Sequence, residues 1–139
     1  VFLLDVNVLI AVVWDSHVHH QPAREWFTAR SADGWATCPV TEMGFLRVSC
    51  NPVVLPAPVE MDQALTVLGS LRALAGHRFL ADDVSAVDSD LPRISGHHQV
   101  ADAHLLTVAR RHRAQLLTFD AAIASLPDAE ADVVVLSGR

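Results

Sequence analysis

The sequence has no lysine and no tyrosine, and all ten of its basic residues are arginine. Without lysine there is no P-loop amine and no Schiff-base nucleophile. With tyrosine also missing, general acid or base work falls to Asp, Glu, His, Cys or water. Cysteine is scarce: Cys38 and Cys50 make a poor disulfide framework and read as buried thiols of a reducing compartment. Hydrophobic residues make up 51% of the chain, yet no apolar run approaches the roughly 20 residues that cross a bilayer. Nor does a charged and then apolar leader with a cleavage site precede the first element. The expectation is a soluble, cytoplasmic protein without membrane association. A basic excess is missing as well, since the net charge is −6. Indiscriminate adhesion to nucleic acid is thereby disfavoured, although a local basic patch remains compatible. The length of 139 residues suits a single domain, 1–139, with a core of its own.

What is present is organised around the start of the chain. Phe2, Leu3 and Leu4 have the unbroken apolar character of a strand covered on both faces, and Asp5 follows them directly. In open α/β sheets ligands bind at that carboxyl end of the strands. The same pattern recurs at residues 116–120, LLTFD, so Asp120 is a second acid at a strand end.

Strand and helix alternate along the rest. Strands are expected over 2–5, 34–38, 78–81, 115–119 and 132–136. Helices are expected over 7–14 with Asn7 as N-cap, 21–30, 39–50, 60–75, 97–112 and 121–126. Pro56 and Pro58 stiffen one connection, and 82–96 reads as loop. Such alternation implies an α/β fold, a mainly parallel central sheet of four to five strands with helices on both faces.

On a helical wheel of about 100° per residue, Glu42 falls among Leu46, Cys50, Met43 and Phe45, and Asp102 among Leu106, Ala109 and Leu105. Both acids are therefore expected to point inward, toward the sheet whose strands end in Asp5 and Asp120. Carboxylates are rarely buried unless paired or coordinated. At about 4 Å two such charges repel by roughly 4 kcal/mol at an effective dielectric near 20. A hard divalent cation, Mg²⁺ or Mn²⁺, relieves that repulsion, and such ions activate water and stabilise charge on a phosphodiester. Metal-dependent hydrolysis of a phosphate ester is the implied chemistry.

The segments LLDVNVLI, TEMGFLRV, VADAHLLTVA and LLTFD, in that order, resemble the PIN-domain ribonucleases, and within them the VapC-type toxins of bacterial toxin–antitoxin operons. The similarity covers essentially the whole chain. It implies a PIN-like fold and an endoribonuclease that needs Mg²⁺ or Mn²⁺, has RNA as substrate, and is silenced by a cognate VapB-like antitoxin. It also implies a homodimer. Residue by residue, the family's acidic quartet carries over onto Asp5, Glu42, Asp102 and Asp120, with Asn7 and Thr118 at flanking polar positions. Asp5, Asp102 and Asp120 are the expected ligands, while Glu42 is either a ligand or the base that orients water. Asn7 serves equally well as a helix cap, and Thr118 reads first as strand packing.

Arg47, at the edge of the Glu42 helix, and Arg93, just before the Asp102 helix, are the expected RNA phosphate contacts. Arg110, Arg111 and Arg113 read as a helix C-terminal cluster. His17, His19, His20 and His97 fit no closed zinc spacing and read as surface or loop residues. His98 lies one turn before Asp102 and is expected to border the site. Asp82, Asp83, Asp88 and Asp90 lack the glycine and glutamate of a calcium loop and read as a solvated turn. Trp14, Trp26 and Phe27 read as core, or in part as an antitoxin groove.

Two other readings exist. One is a catalytically inactive PIN-type RNA-binding module, against which the intact acidic set speaks. The other is a haloacid-dehalogenase-like phosphatase, which needs a second Asp where Asn7 stands and a lysine the chain lacks.

Overall fold

The apolar segment 2–4 and its counterparts form one parallel sheet in a computed structural model that describes residues 1–57, 59–87 and 91–138. Asp88 and Asp90 of the expected acidic turn, and Pro58, lie outside the described residues. The strands are β1 (Phe2–Leu4), β2 (Trp35–Thr37), β3 (His77–Phe79), β4 (Gln115–Thr118) and β5 (Val133–Val135), in the order β3-β2-β1-β4-β5. Every neighbouring pair is parallel, with Leu3 opposite Ala36 on one side and Leu116 on the other. All five carboxyl ends therefore open on one edge. β1 is central, so the residue that follows it sits in the middle of that edge.

The helices are α1 (Val6–Val13), α2 (His20–Arg30), α3 (Pro39–Ser49), α4 (Met61–Arg72), α5 (Val100–Arg111) and α6 (Ala121–Ala124). Among the described residues, none is long and apolar enough to cross a membrane. Successive strand side chains point to opposite faces. Leu3 and Leu116 pack with Ala103, Leu106 and Ile123 of α5 and α6 on one face. Leu4 and Leu117 pack with Val8, Phe45 and Leu68 of α1, α3 and α4 on the other. This two-sided cover explains why β1 and β4 read as unbroken apolar runs rather than as alternating ones.

Two local expectations are corrected. Helix α1 begins at Val6, and its N-cap is Asp5 rather than Asn7: Asp5 has extended backbone (φ −63°, ψ 158°) and its carboxylate accepts from the Val6 N–H. The segment expected as helix from His97 begins instead with a short 3-10 turn, His97–Gln99, before α5 proper.

Helix α3 meets α1 at Gly44, where a Cβ would come within 2.4 Å of Val6 Cγ2. Its buried residues are Thr41, Gly44, Phe45 and Ser49, while Met43 is 67% exposed. The small polar residues face inward because α1 approaches closely there, and Ser49 Oγ accepts from the Trp14 indole N–H at 2.8 Å. Glu42 therefore lies about 80° from the middle of the buried face, at its margin, and not at its centre.

Candidate active site

Each acid reaches the sheet edge by a local device. Asp5 is held because the chain must turn from strand to helix there. Its Oδ1 accepts from Val6 N–H at 2.7 Å and its Oδ2 from the Thr118 hydroxyl at 2.8 Å. Only 9% of Asp5 is exposed. Asp120 caps α6, with its Oδ1 accepting from Ala122 N–H at 2.9 Å. Asp102 projects from the first turn of α5, where the helix dipole favours an anion, and takes no hydrogen bond from the described residues.

These three aspartates, Asp5 from the start of the chain and Asp102 and Asp120 from about a hundred residues later, line one hollow of about 350 Å³ with Val6, Asn7, Ile10, His17, Val48 and Val54. Burial pushes the Asp5 carboxyl above its ordinary value, the two hydrogen bonds oppose that shift, and the charge of Asp120 adds to it. Burial also raises the Asp102 carboxyl, and the charges of Asp5 and Asp120 raise it further. The acids thus sense one another. Among the described residues, however, no three such groups converge closely enough to enclose an ion as they stand. The donor set suits a hard cation that keeps several waters and is bound through one or two carboxylates, and not an all-protein cage.

Thr118 is the junction of the site. It is fully buried, and its oxygen donates to Asp5 while accepting from Asn7 Nδ2 at 3.2 Å and from Asp120 N–H at 3.0 Å. Asn7 Oδ1 in turn accepts from Phe119 N–H at 3.1 Å. Asn7 and Thr118 therefore lock the end of β1 to the end of β4, a role that neither capping nor strand packing describes.

Other expected residues lie elsewhere. Glu42 is not among the residues lining the hollow; its Oε2 accepts from the Thr37 hydroxyl at 2.6 Å and lies 3.6 Å from Arg72 Nε. Thr37 Oγ1 also meets His77 Nε2 at 2.8 Å, so a chain of contacts ties Glu42 to β3. Arg47 and Arg93 are exposed and do not line the hollow; Arg47 borders a separate depression with Pro39, Val40 and Met43. His98 is also exposed and outside the lining, because the 3-10 turn breaks the helical register that put it in line with Asp102. Asp82 is not a solvated turn residue, since it pairs with His104 Nε2 at 2.9 Å. Arg110 of the expected C-terminal cluster binds Asp132 at 2.7 Å and the Asp128 carbonyl, fixing α5 to the approach to β5.

His17 is the residue the sequence did not reveal. It lies between α1 and α2, where no periodicity assigns a side chain to a face, and it lines the hollow beside the aspartates.

The comparisons with known proteins agree with this geometry. Residues 2–129 match the PIN domain family. The chain is 61% identical to ribonuclease VapC38 of Mycobacterium tuberculosis (strain ATCC 25618 / H37Rv), over 89% of this chain and 88% of that protein. It is 46% identical to ribonuclease VapC39 of the same organism, over 88% of this chain and 90% of that protein. The crystal structure of M. tuberculosis VapC20, described as a sarcin–ricin loop cleaving toxin, superposes with a TM-score of 0.64 at 13% identity, covering 99% of this chain and all of that one. At that identity the likeness concerns the fold alone. With a match that spans most of the chain, relatives this similar, and a sheet edge that carries aspartates at two strand ends, the chain belongs to the PIN-domain family, among the VapC ribonucleases.

Proposed function

We propose that this VapC-type toxin endoribonuclease hydrolyses RNA phosphodiester bonds with Mg²⁺ or Mn²⁺ held by Asp5, Asp102 and Asp120. One observation carries the reading: three aspartates from three separate elements line a single hollow at the carboxyl edge of the sheet, two of them, Asp5 and Asp102, pushed toward protonation by burial and by neighbouring carboxylates. When bound, the cation would supply an activated water and charge stabilisation at the phosphate. The chain's own residues hold the site for it. Thr118 orients the Asp5 carboxylate, Asn7 fixes the end of β4, and Val48 and Ile10 supply an apolar wall.

Glu42 enters the set by resemblance. Its contacts to Thr37 and Arg72 leave it at the neighbouring strand end, and the reading requires its carboxylate to turn from Thr37 toward the hollow. Arg47 and Arg93, both exposed, would contact RNA phosphates outside the hollow. A VapB-type antitoxin and a second copy of this chain are the proposed protein partners.

The test is cleavage of total bacterial RNA by the purified protein, read by mapping of 5′ ends. Cleavage with Mg²⁺ or Mn²⁺ is expected, with loss on adding EDTA and in Asp5→Ala and Glu42→Gln. Metal-independent cleavage that survives Asp5→Ala would overturn the mechanism. Full activity of Glu42→Gln would leave the three aspartates as the whole set.

A further inference from the structure

Three histidines follow α1, and the structure gives each a different task. His20 Nδ1 meets the Ala11 carbonyl at 2.7 Å and ties the start of α2 to α1. His19 stacks on Phe119, with centroids 4.8 Å apart and planes 23° from parallel, directly before Asp120 in the chain. His17 is the one that lines the hollow. Its Nδ1 accepts from His19 N–H at 3.0 Å, which places the ring proton of the neutral imidazole on Nε2. Nε2 has no partner among the described residues.

The chemistry of the hollow makes that nitrogen conspicuous. A phosphodiester is an anion, and three of the side chains around the hollow are carboxylates. Among the described residues of the lining, only Asn7 and His17 carry side-chain donors. Asn7 is already committed to Thr118 and Phe119. Among the described residues no arginine reaches the lining. His17 is therefore the side chain with an uncommitted donor, on a ring whose orientation is fixed from behind.

We propose that His17 is a substrate-binding residue whose Nε2–H donates to a phosphoryl oxygen of the RNA in the aspartate hollow. The inference rests on the hydrolytic reading above and adds to it the group that receives the phosphate. A hydrogen bond to a charged oxygen of this kind is worth about 10- to 100-fold in kcat/KM.

The two ring nitrogens can be tested separately. Asn at position 17 keeps an acceptor for His19 N–H and loses the distal donor, whereas Gln keeps a distal N–H and loses the loop contact. On a labelled oligoribonucleotide carrying a cleavage site found by 5′-end mapping, His17→Ala and His17→Asn should both lose about 10- to 100-fold in kcat/KM. His17→Gln should recover part of that loss. Melting temperature and Mn²⁺ binding by calorimetry should stay at the level of the parent protein in His17→Asn. Wild-type cleavage by His17→Asn would overturn the proposal, as would equal losses in all three variants accompanied by lower melting temperatures, which would make His17 a loop anchor. Asp5→Asn measured alongside separates the two readings: if it cleaves normally the metal mechanism fails, whatever His17 does.

Discussion

Asp102 shows at the scale of one residue what gathering carboxylates at the sheet edge costs. Its carboxyl is held above the ordinary value, so the native state binds a proton more readily than the unfolded chain. Stability is therefore lost as pH rises from the unfolded value through the raised native one, and above that range the cost is complete. In EDTA at neutral pH, Asp102→Asn should melt higher by about 1 to 3 °C, a modest gain because solvent screens a group this exposed. At a pH below the ordinary aspartate value the difference should vanish. Saturating Mg²⁺ should raise the melting temperature of the wild type more than that of the variant. A variant that melts lower at every pH would mean that Asp102 makes a stabilising contact instead. The inward direction of Asp102 was legible in the sequence because its neighbours on the wheel, Leu105, Leu106 and Ala109, are all buried. Glu42 also points inward, its side chain 12% exposed against Thr37 at the end of β2, but the centre of its helix face does not follow from apolar residues: Met43 is apolar but exposed, and Thr41, Gly44 and Ser49 are inside. Apolar identity stood in for burial, and a close helix crossing broke the substitution.

Among elements, the contact that decides the shape of the site is α1 against α3. At Gly44 the helices approach so closely that a methyl group would overlap Val6, the residue after Asp5. Gly44→Ala should therefore destabilise the fold by about 1 to 3 kcal/mol, measured by urea unfolding, despite the better helix propensity of alanine. It should also lower cleavage, since relief of the clash moves the start of α1. Unchanged stability would show that Val6 can yield without cost. The sequence foretold the alternation of strands and helices and the two acids at strand ends, because full burial of β1 and β4 leaves an uninterrupted apolar signature. It did not foretell the break before α5 or the placement of residues 15–19, where turn geometry rather than periodicity fixes the side chains.

Taken whole, the molecule is an acidic protein, net charge −6, whose substrate is a polyanion. A net negative charge gives RNA no overall long-range attraction, so under the proposed mechanism binding at the aspartate edge draws on the cation and on local donors. The toxin reading makes a prediction at this scale: induced expression of the chain should arrest growth, and co-expression of the adjacent antitoxin frame should restore it. Asp5→Ala should be tolerated without the antitoxin. Growth unaffected by the wild-type chain would remove the toxin assignment and leave a nuclease. Full growth arrest by Asp5→Ala would show that arrest does not require hydrolysis.

The oxygen of Thr118 gives its single hydrogen to Asp5 and receives two N–H groups, from Asn7 and from the backbone of Asp120. Its valence is thereby filled: no lone pair is left for a ligand and no rotation of the hydroxyl is tolerated. Water has no way to relay that proton outward, so the hydroxyl resonance should persist in an NMR spectrum where ordinary threonine hydroxyls vanish by exchange. A missing signal would mean that the knot joining the two strand ends opens on the timescale of solvent exchange.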